Sequence, residues 1–300
     1  RDLLDAVLYA PDNTPGNKTL FTKSVARTLL AKIYAEKPLR DYAKVIHYCD
    51  EVKADGFDLV EDFNDLFGMN AAGTDAKMRN TKESILEAQF TPGAGNWCSW
   101  MFGRDLVNWN TNFTWAKWVT PSRDLINAFK KEGDEVRFKE SVVYYDCNWS
   151  NYYPSDNYPF MYKCRSANSS IIKYRYADVL LLKAEALIMQ DTPDLDGAAD
   201  IIDEVRERAK LGALSASTRS NKNAMLNALL KERRLELAFE GQRWFDLVRL
   251  DKVEEVMNAV YSKDSGRKAQ VYAFDKTSYR LPIPQSVIDA NDKIHQNPGY

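Results

Sequence analysis

The chain has 300 residues, of which 45% are hydrophobic and 28% are charged, so it has enough apolar material for a large core. Its 41 lysines and arginines nearly balance 43 aspartates and glutamates, which argues against a nucleic-acid-binding protein, because such proteins usually have a basic excess. No apolar run approaches 18 residues, so no transmembrane helix is predicted. Four dispersed cysteines without a CxxC motif, and only two histidines, argue against a structural zinc site.

The first predicted elements are two helices joined by a short connection. They are "TKSVARTLLAKIYAE" (22–36), which has one apolar face, and "LRDYAKVIHYCDEVKADG" (39–56), which ends at a glycine. Small residues such as Ala26 and Ala43 let the two helices approach closely. The pattern predicts an antiparallel hairpin over residues 22–54, typical of tetratricopeptide-like repeats.

Regular periodicity weakens in the middle of the chain. A short strand is predicted within "ESILEAQF" (83–90), and a short helix with Pro121 in its first turn within "TPSRDLINAFKKEGD" (120–134). The pattern predicts a strand, an aromatic loop and a second strand within "FKESVVYYDCNWSNYYPSDNYPFMYKC" (138–164). No periodicity is visible between residues 91 and 118, which favours a long irregular loop.

Long helices return in the last part of the chain. They are predicted for "SSIIKYRYADVLLLKAEALIMQ" (169–190), "LDGAADIIDEVRERAKLG" (195–212) and "KNAMLNALLKERRLELAFEG" (222–241), the third with a left-handed cap at Gly241. The chain ends with an extended Pro-x-Pro segment, a short helix begun by Pro284 and an Asn-Pro-Gly turn. The whole sequence predicts a mainly α fold with long irregular loops and a few short strands.

Metal and cofactor sites have little support in the sequence. The stretch "TPDLDGAADIID" (192–203) loosely matches a calcium loop, but Thr192 stands where such a loop begins with Asp. Capping of the following helix by Asp196 explains the stretch better. The sequence also lacks the GxSxG, HExxH and P-loop motifs of common hydrolases and nucleotide-binding proteins. We therefore expect no metal and no cofactor.

One predicted helix carries charged residues on the face that should enter the core. Within "RRLELAFEGQRWFDLVRL" (233–250) they are spaced three, four and three residues apart: Arg233, Glu236, Glu240 and Arg243. A buried charge without a partner is very costly, so these groups must pair or stay in water. We interpret them as a structural ion network in which the two arginines and the two glutamates satisfy one another. The alternative is a catalytic pair, Glu236 with Glu240, but no nucleophile or metal site accompanies it.

Two aromatic stretches are candidates for ligand binding. The first is "GNWCSWMFGRDLVNWNTNFTWAKW" (95–118), with five tryptophans, and the second is "YYDCNWSNYYPSDNYPFMY" (144–162). Flat apolar rings beside amide and carboxylate groups suit the faces and hydroxyls of sugars. The alternative is that the rings pack the loops onto the helices. The candidate glycan-binding residues are Asn96, Trp97, Trp100, Asn108, Trp109, Trp149, Tyr152 and Tyr153.

Several motifs resemble those of the SusD/RagB family, the surface glycan-binding lipoproteins of certain Gram-negative bacteria. The family signature is similar to "ERRLELAFEGQRWFDLVRL" (232–250), and its C-terminal signature to "RLPIPQSVIDANDKIHQNPGY" (280–300). The helix that usually precedes them is similar to "YRYADVLLLKAEAL" (174–187), and the tetratricopeptide-like part of the family to "TKSVARTLLAKIYA" (22–35). The resemblance covers nearly the whole chain, in the same order.

The resemblance implies a fold and its division. The fold would be a right-handed superhelix of tetratricopeptide-like helical hairpins that bears an irregular ligand-binding face. Residues 1–300 would form a single SusD-like domain that lacks its N-terminal part. Within it we expect tetratricopeptide-like helices in residues 1–67, a loop-rich ligand face in 68–168, and a C-terminal helical region with the family signatures in 169–300.

The resemblance also implies a function. The protein would capture oligosaccharides or glycans without hydrolysing them and deliver them to a SusC-like TonB-dependent transporter. It would lie on the outer face of the outer membrane, held by an N-terminal lipid anchor that is missing from this chain. Two other functions stay open: a glycan-active hydrolase that uses Glu236 with Glu240 or Asp146 with Asp156, and a tetratricopeptide-like adaptor for peptides.

Overall fold

The structure, a computed structural model, describes residues 1–91, 95, 106–107, 120–148, 150–264 and 273–300. The described residues divide into two compact units, Arg1–Gly241 and Gln242–Tyr300. No helix within these ranges is both long enough and apolar enough to span a bilayer. The expected division of one domain after residues 67 and 168 stays a prediction.

The first unit begins with three helices, α1 (Asp2–Tyr9), α2 (Lys23–Ala35) and α3 (Tyr42–Ala54). The start of α2 lies beside the end of α3, because Ser24 Oγ and Arg27 Nη1 donate to the Asp55 carboxylate at 2.6 and 2.9 Å. Helices α2 and α3 are therefore antiparallel, and the hairpin predicted for residues 22–54 is confirmed.

The centre of the core in the first unit is a single helix, α7. A 3₁₀ helix (Lys37–Leu39) lies between α2 and α3, and the further described elements of this unit are, in chain order, α4 (Asn64–Phe67), β1 (Ser84–Ala88), α5 (Arg123–Glu132), α6 (Glu135–Ser141), β2 (Val142–Tyr145), β3 (Tyr158–Met161), β4 (Ile171–Arg175), α7 (Tyr176–Met189), α8 (Leu195–Arg208), α9 (Ala216–Arg219) and α10 (Lys222–Glu236). Helix α7 is buried along most of its length, as its nearly continuous apolar sequence requires. It packs against α2, α3, α8 and α10.

The strands within the described residues form two small antiparallel sheets. Strand β1 pairs with β4, and β2 pairs with β3 in the register Val142 to Met161 through Tyr145 to Tyr158. The strand predicted within 83–90 is therefore confirmed as β1. The strand, aromatic loop and strand predicted within 138–164 are confirmed as β2, the loop that follows it, and β3.

Two segments have a different secondary structure from the one predicted. Residues 171–175 are strand β4 and not the start of a helix, because their backbone pairs with β1, with Ser84 opposite Arg175. Residues 135–141 form helix α6 ahead of β2, because Asp134 caps them by accepting a hydrogen bond from a first-turn amide at 3.1 Å.

Two helix caps also differ from expectation. Helix α5 is capped by Ser122, whose Oγ accepts a first-turn amide at 3.1 Å, so Pro121 lies before the helix and not in its first turn. Helix α8 is capped by Asp194, whose Oδ1 accepts a first-turn amide at 2.9 Å. Asp196 therefore lies in the first turn of α8, and the prediction that it caps this helix is wrong.

Helix α10 ends at Glu236, before the predicted end at Gly241. The Leu237 amide still donates to the Arg233 carbonyl at 2.9 Å, but the chain then leaves the helical path. Phe239 has φ 65° and Gly241 has φ 76°. Gly241 thus adopts the predicted left-handed conformation, but it lies beyond the end of the helix. The positive φ angles of Phe239 and Gly241 prevent a right-handed helix from continuing through the turn.

The second unit contains short helices and an ordered C-terminal segment. Its elements are α11 (Arg243–Arg249), α12 (Val253–Lys263), a 3₁₀ helix (Lys276–Tyr279) and α13 (Gln285–Asp289). Pro284 is the N-cap of α13, in agreement with the predicted start of this helix. The Gln296 side chain bonds both the amide and the carbonyl of Ile283, at 2.8 and 2.9 Å, and so holds the last residues against the Pro-x-Pro segment.

Candidate glycan-binding surface

The aromatic loop between β2 and β3 packs into a distinct apolar cluster, called here the hairpin cluster. Its buried members come from the hairpin and from the tryptophan-rich stretch, and half-buried tyrosines surround them. The hairpin cluster consists of Leu106, Val143, Tyr145, Cys147, Tyr152, Tyr153, Tyr158, Phe160 and Tyr162. Two of the predicted glycan-binding residues, Tyr152 and Tyr153, belong to it.

The rings of Tyr152 and Tyr153 meet edge to face. Their centroids are 4.9 Å apart and their planes are nearly perpendicular, at 88°. The Tyr153 ring also contacts the Tyr158 ring at 5.6 Å, and its hydroxyl donates to the Pro121 carbonyl at 2.7 Å. Both side chains are half-buried, so each rests on the cluster and keeps part of its surface accessible.

Arg123 lies against both of these rings. Its guanidinium carbon is 4.4 Å from the centroid of Tyr152 and 4.2 Å from that of Tyr153. The guanidinium also donates to the backbone carbonyl of Tyr152. A planar cation over aromatic faces is attracted by their negative charge density. Sequence analysis missed Arg123, since nothing in the pattern of α5 links it to a loop further along the chain.

The tryptophan-rich stretch meets the same cluster through Leu106. Leu106 is fully buried, and its amide donates to the Arg165 carbonyl at 2.8 Å while its carbonyl accepts from the Tyr145 hydroxyl. Arg79 donates to the carbonyl of Phe90, just ahead of the stretch. Leu106 of the first aromatic stretch is therefore packed together with residues of the second stretch in the hairpin cluster.

Six of the eight candidate binding residues lie outside the described residues. They are Asn96, Trp97, Trp100, Asn108, Trp109 and Trp149. Their roles stay predictions. Polar groups at the rim of the described loop include the exposed side chains of Asn151, Asn157, Asp146 and Asp156. Such groups supply the hydrogen-bond donors and acceptors that sugar hydroxyls need.

A second constellation is a buried ion network centred on Glu236. One carboxylate oxygen accepts from Arg175 at 2.5 Å and from Arg208, and the other accepts from Arg137 at 3.0 Å. Arg175 and Arg208 also donate to Glu83, at 2.7 and 2.9 Å. All five residues are buried, so each charge depends on these partners.

Glu240 and Arg233 have their own partners around this centre. Glu240 accepts from Lys163 at 2.6 Å and from Arg175 Nε at 2.7 Å. Arg233 is buried and donates to the Asp178 carboxylate of α7 at 2.7 Å. These ion pairs tie α10 and the turn after it to α7, to the end of β4 and to the segment after β3.

Glu236 pairs with arginines from outside the motif, and the expected pairing among the other motif residues stays a prediction. Glu236 and Glu240 form ion pairs with cations from elements outside the motif. Arg233 forms an ion pair with a carboxylate on α7. Arg243 is the first residue of α11 and belongs to the second unit. The helix ends at Glu236, so the spacing that would place the four charges on one helical face does not extend to Glu240 and Arg243.

The electrostatics of the network favour a structural role for Glu236. Burial would raise the pKa of its carboxyl group, but Arg208, Arg175 and Arg137 outweigh burial and hold that pKa well below its usual range. A carboxylate kept charged in this way is not poised to donate a proton as a general acid. Burial lowers the pKa of Lys163 to about 8 against the attraction of Glu240.

In the part of the chain that the structure describes, no group of three or more His, Cys, Asp or Glu side chains is arranged to hold a metal ion. In the stretch that loosely matches a calcium loop, one Asp194 oxygen already accepts the Gly197 amide at 2.9 Å.

The chain is similar in sequence to known proteins of one family. The SusD family model matches residues 157–300. A SusD-like protein P2 from Formosa agariphila is 33% identical in an alignment 142 positions long, which covers 45% of this chain and 27% of that protein. A SusD-like protein from Bacteroides ovatus is 27% identical in an alignment 290 positions long, which covers 82% of this chain and 49% of that protein. The chain thus spans about half the length of the second relative and less of the first.

A solved structure has the same fold. Surface glycan-binding protein A from Bacteroides thetaiotaomicron, in complex with laminarihexaose, aligns with a TM-score of 0.74 at 19% identity. The alignment covers 98% of this chain and 68% of that chain. The predicted mainly α, SusD-like fold with a few short strands is therefore confirmed.

Proposed function

Because the chain belongs to the SusD/RagB family, we propose that it captures oligosaccharides or glycans without hydrolysing them. The observation that carries the proposal is the pair Tyr152 and Tyr153, which pack on the hairpin cluster beside Leu106 of the tryptophan-rich stretch. The surface glycan-binding protein A with the same fold was solved in complex with laminarihexaose, so a laminarin oligosaccharide is a suitable first probe.

The energetics require several rings acting together. Burying about 100 Å² of one aromatic face contributes at most roughly 2.5 kcal/mol. Association costs several kcal/mol in lost translational and rotational freedom, so one ring alone would bind too weakly to detect. Two or three rings with a few hydrogen bonds reach roughly millimolar to micromolar affinity. Tyr152 and Tyr153 need the support of the tryptophans, and Trp97, Trp100, Trp109 are the residues we propose for it.

The binding test compares two tyrosine pairs. Isothermal titration with laminarihexaose, and affinity electrophoresis with a panel of other glycans, should show binding by the wild type. The double variant Tyr152→Ala/Tyr153→Ala should weaken it by at least about tenfold, since it removes two rings. The matched control is Tyr34→Ala/Tyr48→Ala, because these rings also pack together, at 5.9 Å, but belong to the helical hairpin α2–α3.

Three outcomes would contradict the proposal. One is a wild-type protein that binds no glycan in the panel. Another is unchanged binding by a folded Tyr152→Ala/Tyr153→Ala variant. The third is the appearance of new reducing ends when the protein is incubated with a bound oligosaccharide, which would favour a hydrolase.

The proposal extends to the setting of the protein. It would act on the outer face of the outer membrane, held by an N-terminal lipid anchor, and pass its glycan to a SusC-like TonB-dependent transporter. Family membership supports this setting. Purification of the natural protein from outer-membrane fractions should recover a SusC-like barrel with it, and protease added to intact cells should cleave it. Recovery from the cytoplasm alone would contradict the setting.

A further inference from the structure

Arg123 is placed where it can control the shape of the binding surface. It is the first residue of α5, and the Ser122 cap stabilises this end of the helix. The backbone position from which the Arg123 side chain extends toward the loop is therefore fixed. From there its guanidinium contacts the faces of Tyr152 and Tyr153, with its carbon 4.4 and 4.2 Å from the two ring centroids. One side chain thus touches both rings of the pair.

Arg123 also holds the backbone between the rings. Its guanidinium donates to the Tyr152 carbonyl, so the loop cannot turn at that peptide without breaking the bond. The Tyr153 hydroxyl donates to the Pro121 carbonyl at 2.7 Å, two residues ahead of Arg123. The start of α5 therefore restrains both tyrosines.

We propose that Arg123 is a positioning residue for glycan binding, which holds Tyr152 and Tyr153 in their binding orientation. This inference rests on the proposed function. A ring that is already ordered loses little rotamer freedom when a sugar stacks on it, whereas a mobile ring loses more and binds more weakly. Arg123 thus raises affinity through the two tyrosines.

The first measurement is glycan affinity. Arg123→Ala should weaken laminarihexaose binding about tenfold, because two side chains would have to be ordered on binding. Arg123→Lys should recover only part of the loss, since an ammonium group lacks the planar fork that stacks and donates at once. The matched control is Arg234→Ala, because Arg234 donates to Asp124, the neighbour of Arg123, at 2.6 Å, and should leave affinity unchanged.

A double-mutant cycle separates positioning from direct contact. In a Tyr152→Ala/Tyr153→Ala background, Arg123→Ala should change the dissociation constant by less than about twofold, because the rings through which it acts are gone. An additive loss in that background would overturn the inference in favour of a direct contact with the sugar.

A second readout does not depend on a glycan. In protein labelled with 3-fluorotyrosine, Arg123→Ala should shift and broaden the fluorine NMR signals of Tyr152 and Tyr153, identified with Phe variants. Arg234→Ala should leave them unchanged. Unchanged ring signals, or normal affinity in a folded Arg123→Ala variant, would overturn this inference about Arg123 but leave the proposed function standing. Failure of the wild type to bind any glycan would overturn the proposed function, and with it the role of Arg123 in binding.

Discussion

Two adjacent arginines on α10 give the sharpest test of the buried ion network. Arg233 is 1% exposed and pairs with Asp178 at 2.7 Å, whereas Arg234 pairs with Asp124 at 2.6 Å through side chains that are 22% and 18% exposed. Removing one partner of a buried ion pair costs about 3–5 kcal/mol, because the other charge stays buried. Asp178 keeps Lys32 at 2.6 Å, so we expect Arg233→Ala to cost about 3 kcal/mol. For Arg234→Ala we expect about 0–1 kcal/mol.

Urea denaturation followed by far-UV circular dichroism would measure both free energies of unfolding, and pH supplies a further check. Burial would raise the pKa of Asp178, but Lys32 and Arg233 outweigh it and hold that pKa well below the ordinary value of 3.8. The stabilisation from a depressed carboxyl pKa is present above the unfolded value and lost as the pH falls. The difference between the wild type and Arg233→Ala should therefore shrink below about pH 4. Equal losses in the two alanine variants would refute the reasoning.

Three further predictions concern the loop, the end of α10 and the network lysine. The triple variant Trp97→Ala/Trp100→Ala/Trp109→Ala should lose oligosaccharide binding in titration while its melting temperature stays within a few degrees; unfolding would instead mark these residues as core. Gly241→Ala should lower the free energy of unfolding in urea by about 1–2 kcal/mol, because φ is 76° although no atom lies within 4 Å of an added Cβ. Burial lowers the pKa of Lys163 from 10.5 to about 8, so between these values the unfolded chain binds more protons and stability should rise with pH. Lys163→Met should lack that rise when unfolding is measured at several pH values across this range.

Local periodicity predicted the helices better than their ends. The hairpin over residues 22–54 followed from short-range spacing, and so did the central helix α7. Strand β4 was missed because "IIKYR" runs into an apolar helix without a turn residue between them. Its strand conformation depends on pairing with β1, far earlier in the chain, and such pairing leaves no local signal.

The candidate sites show the same limit. Motif spacing predicted that Glu236 would need cationic partners, and it favoured the arginines of the motif, whereas the actual partners lie elsewhere in the chain. Arg137, Arg175 and Arg208 are 99, 61 and 28 residues away from it in sequence. For the binding surface, composition identified the two aromatic stretches. Only the folded chain brings Arg123 and Leu106 to the hairpin cluster, since neither belongs to a periodic pattern that points to it.

The segment 162–165 connects the ion network to the proposed binding surface. Lys163 Nζ donates to Glu240 at 2.6 Å, and two residues later the Arg165 carbonyl accepts the Leu106 amide at 2.8 Å. The Arg165 guanidinium donates to Glu140 at 2.8 Å and lies 3.7 Å from the Tyr162 ring centroid. Ion pairs, unlike apolar contacts, need particular partners at particular positions. The buried charges therefore hold in place the segment that contacts Leu106 and carries Tyr162 of the hairpin cluster.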